Sequence, residues 1–302
     1  MLAVPSLKDL KGRIKSVKST QKITKAMKMV AASKLRRARE AAEASQPYAK
    51  AMSQIVTRLA ATYATNPNAP QMLRGSGHDR THLLIAVTGD RGLSGAFNGS
   101  IIRATRKKAR DLMSEGKQVR IYTIGRKARD LMIAEFGGNI VGSAADVTKG
   151  IEYSRVETIG REIFELVQRE QVDVVTLVFN HFKSVISQIV TFQQLMPLVV
   201  PSSELSVLSS NNSQLTTQNS YEYEPGEEEI LADLLPRNFS MQIFNALLES
   251  AAGFYGAQMN AMENATKNAG EMIKKLTLKY NRTRQANITK ELIEIISGAE
   301  AI

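Results

Sequence analysis

Cysteine is absent from the 302-residue chain. That excludes disulfides, cysteine-ligated zinc, iron–sulfur clusters and thiol nucleophiles together. It fits a reducing compartment without requiring one. The three histidines, His78, His82 and His181, are too few and too scattered for a histidine-rich metal site. Tryptophan is missing and aromatics make up only 6%, while methionine reaches 12 residues. Such a composition argues against a sandwich or barrel and for long helices. No run of about 18 apolar residues occurs, so no transmembrane helix is expected. The length suggests about two domains and a core large enough to need no covalent staple.

Charge is present and unevenly placed. Residues 1–60 hold 14 Lys/Arg against 3 Asp/Glu, which accounts for the whole net charge of +11, and the rest of the chain is neutral. A local basic field of this strength suits an acidic partner surface. Nucleic acid, anionic lipid and an acidic protein loop all qualify, and a merely solvated helix face is the plain alternative. A transit peptide is a poorer fit, because the pattern runs on for some sixty residues.

Three segments follow from periodicity. In the first, Pro5-Ser6 with Asp9 three residues on is a helix start. Leu7, Leu10, Ile14 and Val17, then Ile23, Met27 and Val30, then Met52, Val56, Leu59 and Tyr63 step by three and four residues. This is the coiled-coil period. Gln21 and Lys34 interrupt the stripe, Pro47 is its expected weak point, and Asn66–Pro70 ends it. In the middle segment the period shortens. His82–Thr88, Gln118–Ile124, Asn139–Val141, Val172–Asn180 and Ser187–Pro197 read as strands, and Ser100–Ser114, Arg126–Phe136 and Ile151–Glu170 as helices. That alternation predicts a largely parallel, Rossmann-like α/β sheet with an antiparallel edge. Residues 201–229 read as a polar loop with weak strand content around Tyr221–Tyr223. From Glu227 a helical period returns and lasts to about Ser297, with Met262, Ala265, Ala269, Met272 and Leu276 as its stripe.

A helix of some sixty residues is ~90 Å long, against a radius of gyration of ~19 Å for a compact domain of this length. Each long helix therefore needs the other. The expected fold is a long antiparallel two-helix coiled coil made by the N- and C-terminal helices, with an α/β domain inserted between them. The boundaries are 1–65 and 230–302 for the coiled-coil helices, 80–200 for the α/β domain and 201–229 for the loop.

The chemistry-bearing motifs are few. Thr88–Asn98 sits where a phosphate loop would sit, after a strand and before a helix. It has neither the GxxxxGK[ST] nor the GxGxxG spacing, and nothing is placed to hold magnesium. A structural turn or an exposed recognition loop carrying Arg91 fits better. Glu227-Glu228-Glu229 reads as a solvated charge run, and His181 follows a strand end with no partner nearby in sequence. No catalytic, cofactor or metal site is expected. The C-terminal helix carries many amides and hydroxyls: Asn264, Asn268, Asn281, Gln285, Asn287 and Thr289. These suit a helix whose side chains bond to surrounding protein better than a self-contained one.

The most specific stretch, Asn281–Ala299 (NRTRQANITKELIEIISGA), resembles the C-terminus of the γ subunit of F-type ATP synthases. Thr20–Ala38 resembles that family's N-terminal helix, and Gly89–Gly95 its SDRGLCG-like loop, with Thr88-Gly89 and Ser94 as variants. One stretch departs from the family pattern: Gly253-Phe254-Tyr255-Gly256-Ala257-Gln258. The resemblance implies a non-catalytic central rotor stalk that couples proton flow to ATP synthesis or hydrolysis. Its coiled coil would thread the hexamer of α and β subunits, and its α/β domain would sit near an ε-type subunit and the c-ring. It implies a peripheral membrane protein at the cytoplasmic face of a bacterial inner membrane, with no membrane insertion, nucleic acid or cofactor of its own. It also implies subunit contacts at Lys25, Met27, Lys28, Arg91 and Ser94, facing an acidic lever loop of β. A second contact face carries Arg284, Gln285, Thr289 and Glu291. Gln285 and Thr289 lie one turn apart on one side of a helix. Two other classes stay open at this point. One is a nucleic-acid-binding coiled coil using Lys22, Lys25, Lys28, Lys34, Arg36, Arg37 and Arg39 on phosphates. The other is an enzyme built on the middle domain.

Overall fold

A computed structural model describes residues 6–63, 70–198 and 227–300. The expected end of the first helix at Asn66–Pro70 falls largely outside these residues. So do most of the polar loop and its strand content around Tyr221–Tyr223. The side chains of Leu59, Tyr63 and Glu227–Glu229 lie outside the description as well.

In chain order the principal elements are α1 (Leu7–Tyr63), α2 (Gln71–Arg74), β1 (Thr81–Val87), α3 (Phe97–Ser114), β2 (Gln118–Ile124) and α4 (Arg126–Phe136). There follow β3 (Ile140–Ala144), α5 (Tyr153–Arg169), β4 (Val174–Phe182), β5 (Gln188–Met196) and α6 (Glu227–Glu300). The chain divides into two compact units, residues 1–33 with 258–302, and residues 34–257. Both long helices contribute to both units, and each unit is described by itself.

In the first unit, α1 opens with a reciprocal cap. The Asp9 N–H donates to Ser6 Oγ (3.2 Å) and the Ser6 N–H to Asp9 Oδ2 (3.3 Å), which satisfies donors that a helix start leaves free. The helices pair antiparallel. Gln21 Nε2 donates to the Thr266 carbonyl (3.4 Å) and Lys28 Nζ to Glu263 (2.9 Å), so the partner number falls as the α1 number rises. The seam on α1 runs through Leu7, Leu10, Ile14, Val17, Gln21, Thr24, Met27, Lys28 and Ala31. Two parts of the expected stripe are corrected. Ile23 and Val30, each 56% exposed, point outward, and the polar Gln21 and Thr24 take the seam. On α6 Met272 is 52% exposed, because the seam advances four residues from Ala269 to the half-buried Ile273. The polar substitution works because partners wait opposite. Thr24 Oγ1 lies 2.7 Å from Thr266 Oγ1, and each hydroxyl also has a carbonyl of its own helix within reach, Gln21 and Met262, so that one donates across the seam while the other donates to its own helix.

In the second unit a five-stranded sheet has the order β3-β2-β1-β4-β5. The first four strands run parallel and β5 closes the edge antiparallel to β4. β1 lies at the centre, with Ile85 opposite Tyr122 of β2 and Leu177 of β4. A strand buried on both faces needs apolar residues at every position, and Leu83–Val87 are all fully buried. Alternate side chains enter different cores. Leu83, Ile85 and Val87 join α5, the start of α6 and Met52 and Val56 of α1. Leu84 joins Ile102, Ala109, Leu112, Met132 and Phe136 of α3 and α4. Close approach between α5 and α6 rests on Gly160, where a Cβ would fall 2.3 Å from Ser240 Oγ. α1 runs through Pro47 as one helix.

Candidate functional site

In a sheet of this topology the chain runs from β1 outward to β3 and returns to β4. The β1–β4 boundary is therefore the switch point where α/β folds bind ligands. Here that crevice is filled from within. The ring of Phe254 on α6 packs edge-on against Phe97 at the start of α3 (centroids 5.6 Å apart) and against Tyr255 (5.5 Å). A Cβ on Gly89, the first residue of the post-β1 loop after Thr88, would fall 2.7 Å from the Phe254 ring. Gly253 and Gly256 keep α6 close, with Phe97, Phe182 and Val185 as near neighbours of their Cα positions. The family-divergent stretch Gly253–Gln258 thus begins with the residues that occupy the crevice.

The loop itself is clamped. The Gly89 N–H donates to Asn98 Oδ1 (2.9 Å), and Asn98 Nδ2 donates to the Arg91 carbonyl (3.0 Å). Asp90 is buried and both its oxygens are bonded. Its Oδ1 accepts the backbone N–H groups of Arg126 (3.1 Å) and Asp146 (2.9 Å), and its Oδ2 accepts from Thr148 Oγ1 (2.7 Å). A carboxylate so bonded ties three segments together. The sequence expectation of a structural or recognition loop fits this geometry. Arg91 points to solvent, while Ser94 is buried under the loop.

The other predicted contact residues lie in the first unit. Lys25 is exposed, Met27 and Lys28 are half-buried, and Lys28 is paired with Glu263. A groove of about 640 Å³ in the second unit is lined by amides of α1, β5 and α6, among them Gln46, Gln193 and Gln242. A groove of about 790 Å³ in the first unit has the cations Lys22, Lys25, Lys28 and Lys267 on its walls. Arg284, Gln285, Thr289 and Glu291 are all exposed on α6. They share that helix with exposed Ile288, Leu292, Ile293, Ile295 and Ile296, the barest being Ile295 at 71%. Sequence reading singled out the amides of this region and passed over the isoleucines. Their signal was apolar side chains recurring around the whole helix with no partner stripe to receive them. It also missed the partner of His181, whose Nδ1 lies 2.6 Å from Glu249 Oε2 on α6.

Among the described residues no cluster of His, Asp or Glu comes together that is able to hold a metal ion. Nor is any helix there long and apolar enough to cross a membrane.

Comparison with known proteins supplies the remaining observations. The family model described as ATP synthase matches residues 6–302. The ATP synthase gamma chain of Rhodospirillum rubrum is 55% identical over 300 residues, covering 98% of this chain and 99% of that protein. The gamma chain of Beijerinckia indica is 53% identical, covering 99% and 100%. Among solved structures, a chain from the central stalk and c-ring of the Tetrahymena thermophila mitochondrial ATP synthase superposes with a TM-score of 0.59. It is 27% identical and covers 80% of this chain and 99% of that one. A chain from the Euglena gracilis mitochondrial ATP synthase rotor gives 0.61 at 18% identity, covering 93% and 98%. The nucleic-acid reading has no counterpart among these proteins.

Proposed function

We propose a function from one premise: the chain belongs to the family of ATP synthase γ chains. It is the central rotor stalk of an F-type ATP synthase. Its paired long helices thread the hexamer of α and β subunits, and its α/β domain meets an ε-type subunit and the c-ring. Proton flow turns it, and its lack of threefold symmetry drives three chemically identical β sites through different states. An asymmetric body that contacts each site differently supplies the differential interaction that such a shift of states requires. The chain does no chemistry itself. ATP and magnesium are held by α and β, and the crevice that would take a ligand is closed by Phe254. The chain is peripheral to the membrane, at the cytoplasmic face of a bacterial inner membrane.

The observation that carries this reading is the surface of α6 beyond Leu276. Residues 284–297 are exposed throughout, yet they include five large apolar side chains beside Arg284, Gln285, Thr289 and Glu291. Such a surface marks a protein-interaction site, and here it wraps around the helix. Arg284, Gln285, Thr289 and Glu291 bond to β at the top of the shaft. Lys25, Met27 and Lys28 face an acidic lever loop of β, and Arg91 makes a contact of its own from the post-β1 loop, whereas Ser94, expected from the sequence beside it, is buried and supports that loop instead. A neutral hydrogen bond contributes ~1 kcal/mol net and one to a charged group ~1.5–3. Two or three of these bias a site at one rotor angle and release it at the next.

The test is reconstitution of the whole complex with Gln285→Leu, Thr289→Val and the double variant. The isolated chain should be as stable as wild type or more so, while turnover or assembly of the complex falls. Non-additive losses would mark a shared partner loop. Wild-type turnover and assembly in all three would place these side chains in water. Failure of the wild-type chain to assemble with α and β would remove the rotor reading itself.

A further inference from the structure

Two departures in the sequence meet in the fold. Lys34 breaks the apolar stripe of α1, and Tyr255 belongs to the Gly253–Gln258 stretch that departs from the family pattern. The Lys34 ammonium stands over the Tyr255 ring, with Nζ 5.5 Å from the centroid. A cation at that distance is held by the negative face of an aromatic ring. Lys34 is otherwise exposed and makes no ion pair among the described residues.

The far end of the same tyrosine reaches the sheet. Its hydroxyl donates to the Thr148 carbonyl (3.3 Å). Thr148 Oγ1 in turn donates to the buried Asp90, which also takes the N–H groups of Arg126 and Asp146. One side chain thus joins α1, α6, the β3–α5 connection and, through Asp90, the post-β1 loop and the start of α4. Burial raises the phenol's pKa above the ordinary 10.0 by more than nearby Arg91 lowers it, so the hydroxyl keeps the proton it donates.

The position of this contact matters as much as its bonds. Lys34 is the first α1 residue of the second unit, and Tyr255 lies two residues before the end of α6 in that unit. Among the described residues Met52 is the first of α1 to enter the main apolar core, about five helical turns beyond Lys34. Over those turns the contact with Tyr255 gives α1 a route to the sheet that the core does not.

Resting on the rotor reading above, we propose that Tyr255 is a positioning residue that binds α1 and α6 to the α/β sheet where the two helices leave it, so that all three turn as one piece. Without it, part of each angular step is taken up in bending the root of the shaft, and less of the step reaches the sheet.

The experiment uses the full chain assembled with α and β. The hexamer is fixed to a surface and a bead is carried on Lys107→Cys, an exposed α3 position in a chain with no other cysteine. The angular spread of the bead at rest reads the stiffness of the rotor. Tyr255→Leu removes both contacts and should widen that spread severalfold. Tyr255→Phe keeps the ring and loses the bond to Thr148, and Lys34→Met loses the cation; each should widen it less. Lys34→Arg keeps the cation and should match wild type. The phenylalanine and methionine chains should melt at the wild-type temperature. In the chain alone, amide exchange along α1 from Lys34 towards Met52 should quicken severalfold in the same variants. Wild-type spread in Tyr255→Leu and Lys34→Met overturns the proposal. So does a widening that Lys34→Arg shares, or one that only tracks a fall in melting temperature. If the wild-type chain fails to assemble with α and β, the rotor reading fails instead, and exchange in the chain alone still decides whether Tyr255 holds α1.

Discussion

The two units are held together by different chemistry. The 34–257 unit closes a large apolar core and buries polar groups beside it, Asp90, Asn98 and Asp173 among them, each bonded to backbone. Leu83, Leu84, Ile85 and Val87 are inaccessible, and glycines at 125 and 160 let backbones nearly touch. The paired-helix unit places Gln21 and Thr24 in its seam and leaves Ile23, Met29, Val30 and Met272 outside. A self-sufficient coiled coil would invert that arrangement. The 34–257 unit closes its own core, and the paired-helix unit leaves apolar surface for neighbours to cover.

Substitutions can break or sharpen the contrast. The largest effect is expected for Gly125→Ala. Gly125 has φ 97°, and a Cβ there would fall 2.1 Å from the Thr88 carbonyl oxygen. No side chain can yield, so backbone must move, at about 4 kcal/mol or more. Thermal unfolding of the full chain should show the α/β unit failing first. Next comes Ile85→Ala in the central strand, a fully buried truncation expected to cost about 3 kcal/mol in chemical denaturation. A truncation of the same kind, Ile23→Ala on α1, should cost almost nothing in the isolated chain.

Asp173 provides a pH test confined to the α/β unit. Burial would raise its carboxyl pKa, but hydrogen bonds from Ser76 and from the Thr81 and Arg80 N–H groups outweigh that and hold it below the ordinary value of 3.8. A depressed carboxyl contributes stability that is complete above the unfolded-state value and is lost as pH falls through the lower folded one. Asp173→Asn should cost about 2 kcal/mol near neutrality and flatten the loss of stability below pH ~4. An unchanged acid limb would show that other carboxylates dominate. Smallest is the paired replacement of Thr24 and Thr266 by valine, which removes both hydroxyls at once. It should shift the stability of the isolated chain by less than about 1 kcal/mol in either direction. Disulfides engineered across the seam would then reveal whether the pair sets register, since mixed pairings should appear only in the double variant.

The sheet was legible because its signals are local. Gln118–Ile124 and Arg126–Phe136 match their sequence expectations to the residue, and the β4–β5 hairpin stands where its β-branched run predicts. The coiled coil was legible in period and less so in phase. Thr24 is no worse in a seam than Ile23 once Thr266 faces it, and that partner lies 242 residues away. For the same reason Met272 looked like a core residue: nothing in α6 alone says that the seam advances by four at Ile273. The Phe254 plug was out of reach too, because Gly89 and Phe254 meet only through the fold. Leu93, whose φ of 64° is left-handed, was hidden for another reason: a leucine between Gly92 and Ser94 reads as an ordinary loop residue until its backbone angle is known.

The Phe254 plug has a mechanical side. Within the α/β unit the ring sits between Gly89 and Phe97 as a key sits in a keyway. If α6 were twisted about its own axis, the ring would have to ride out over the loop that Asn98 pins in place, and the bare Cα atoms of Gly253 and Gly256 would carry the helix into the edge of β4. Slip is therefore blocked by hard contact in either sense of rotation. A push on the helix is delivered to the sheet, and a push on the sheet to the helix, with no ligand needed to lock them.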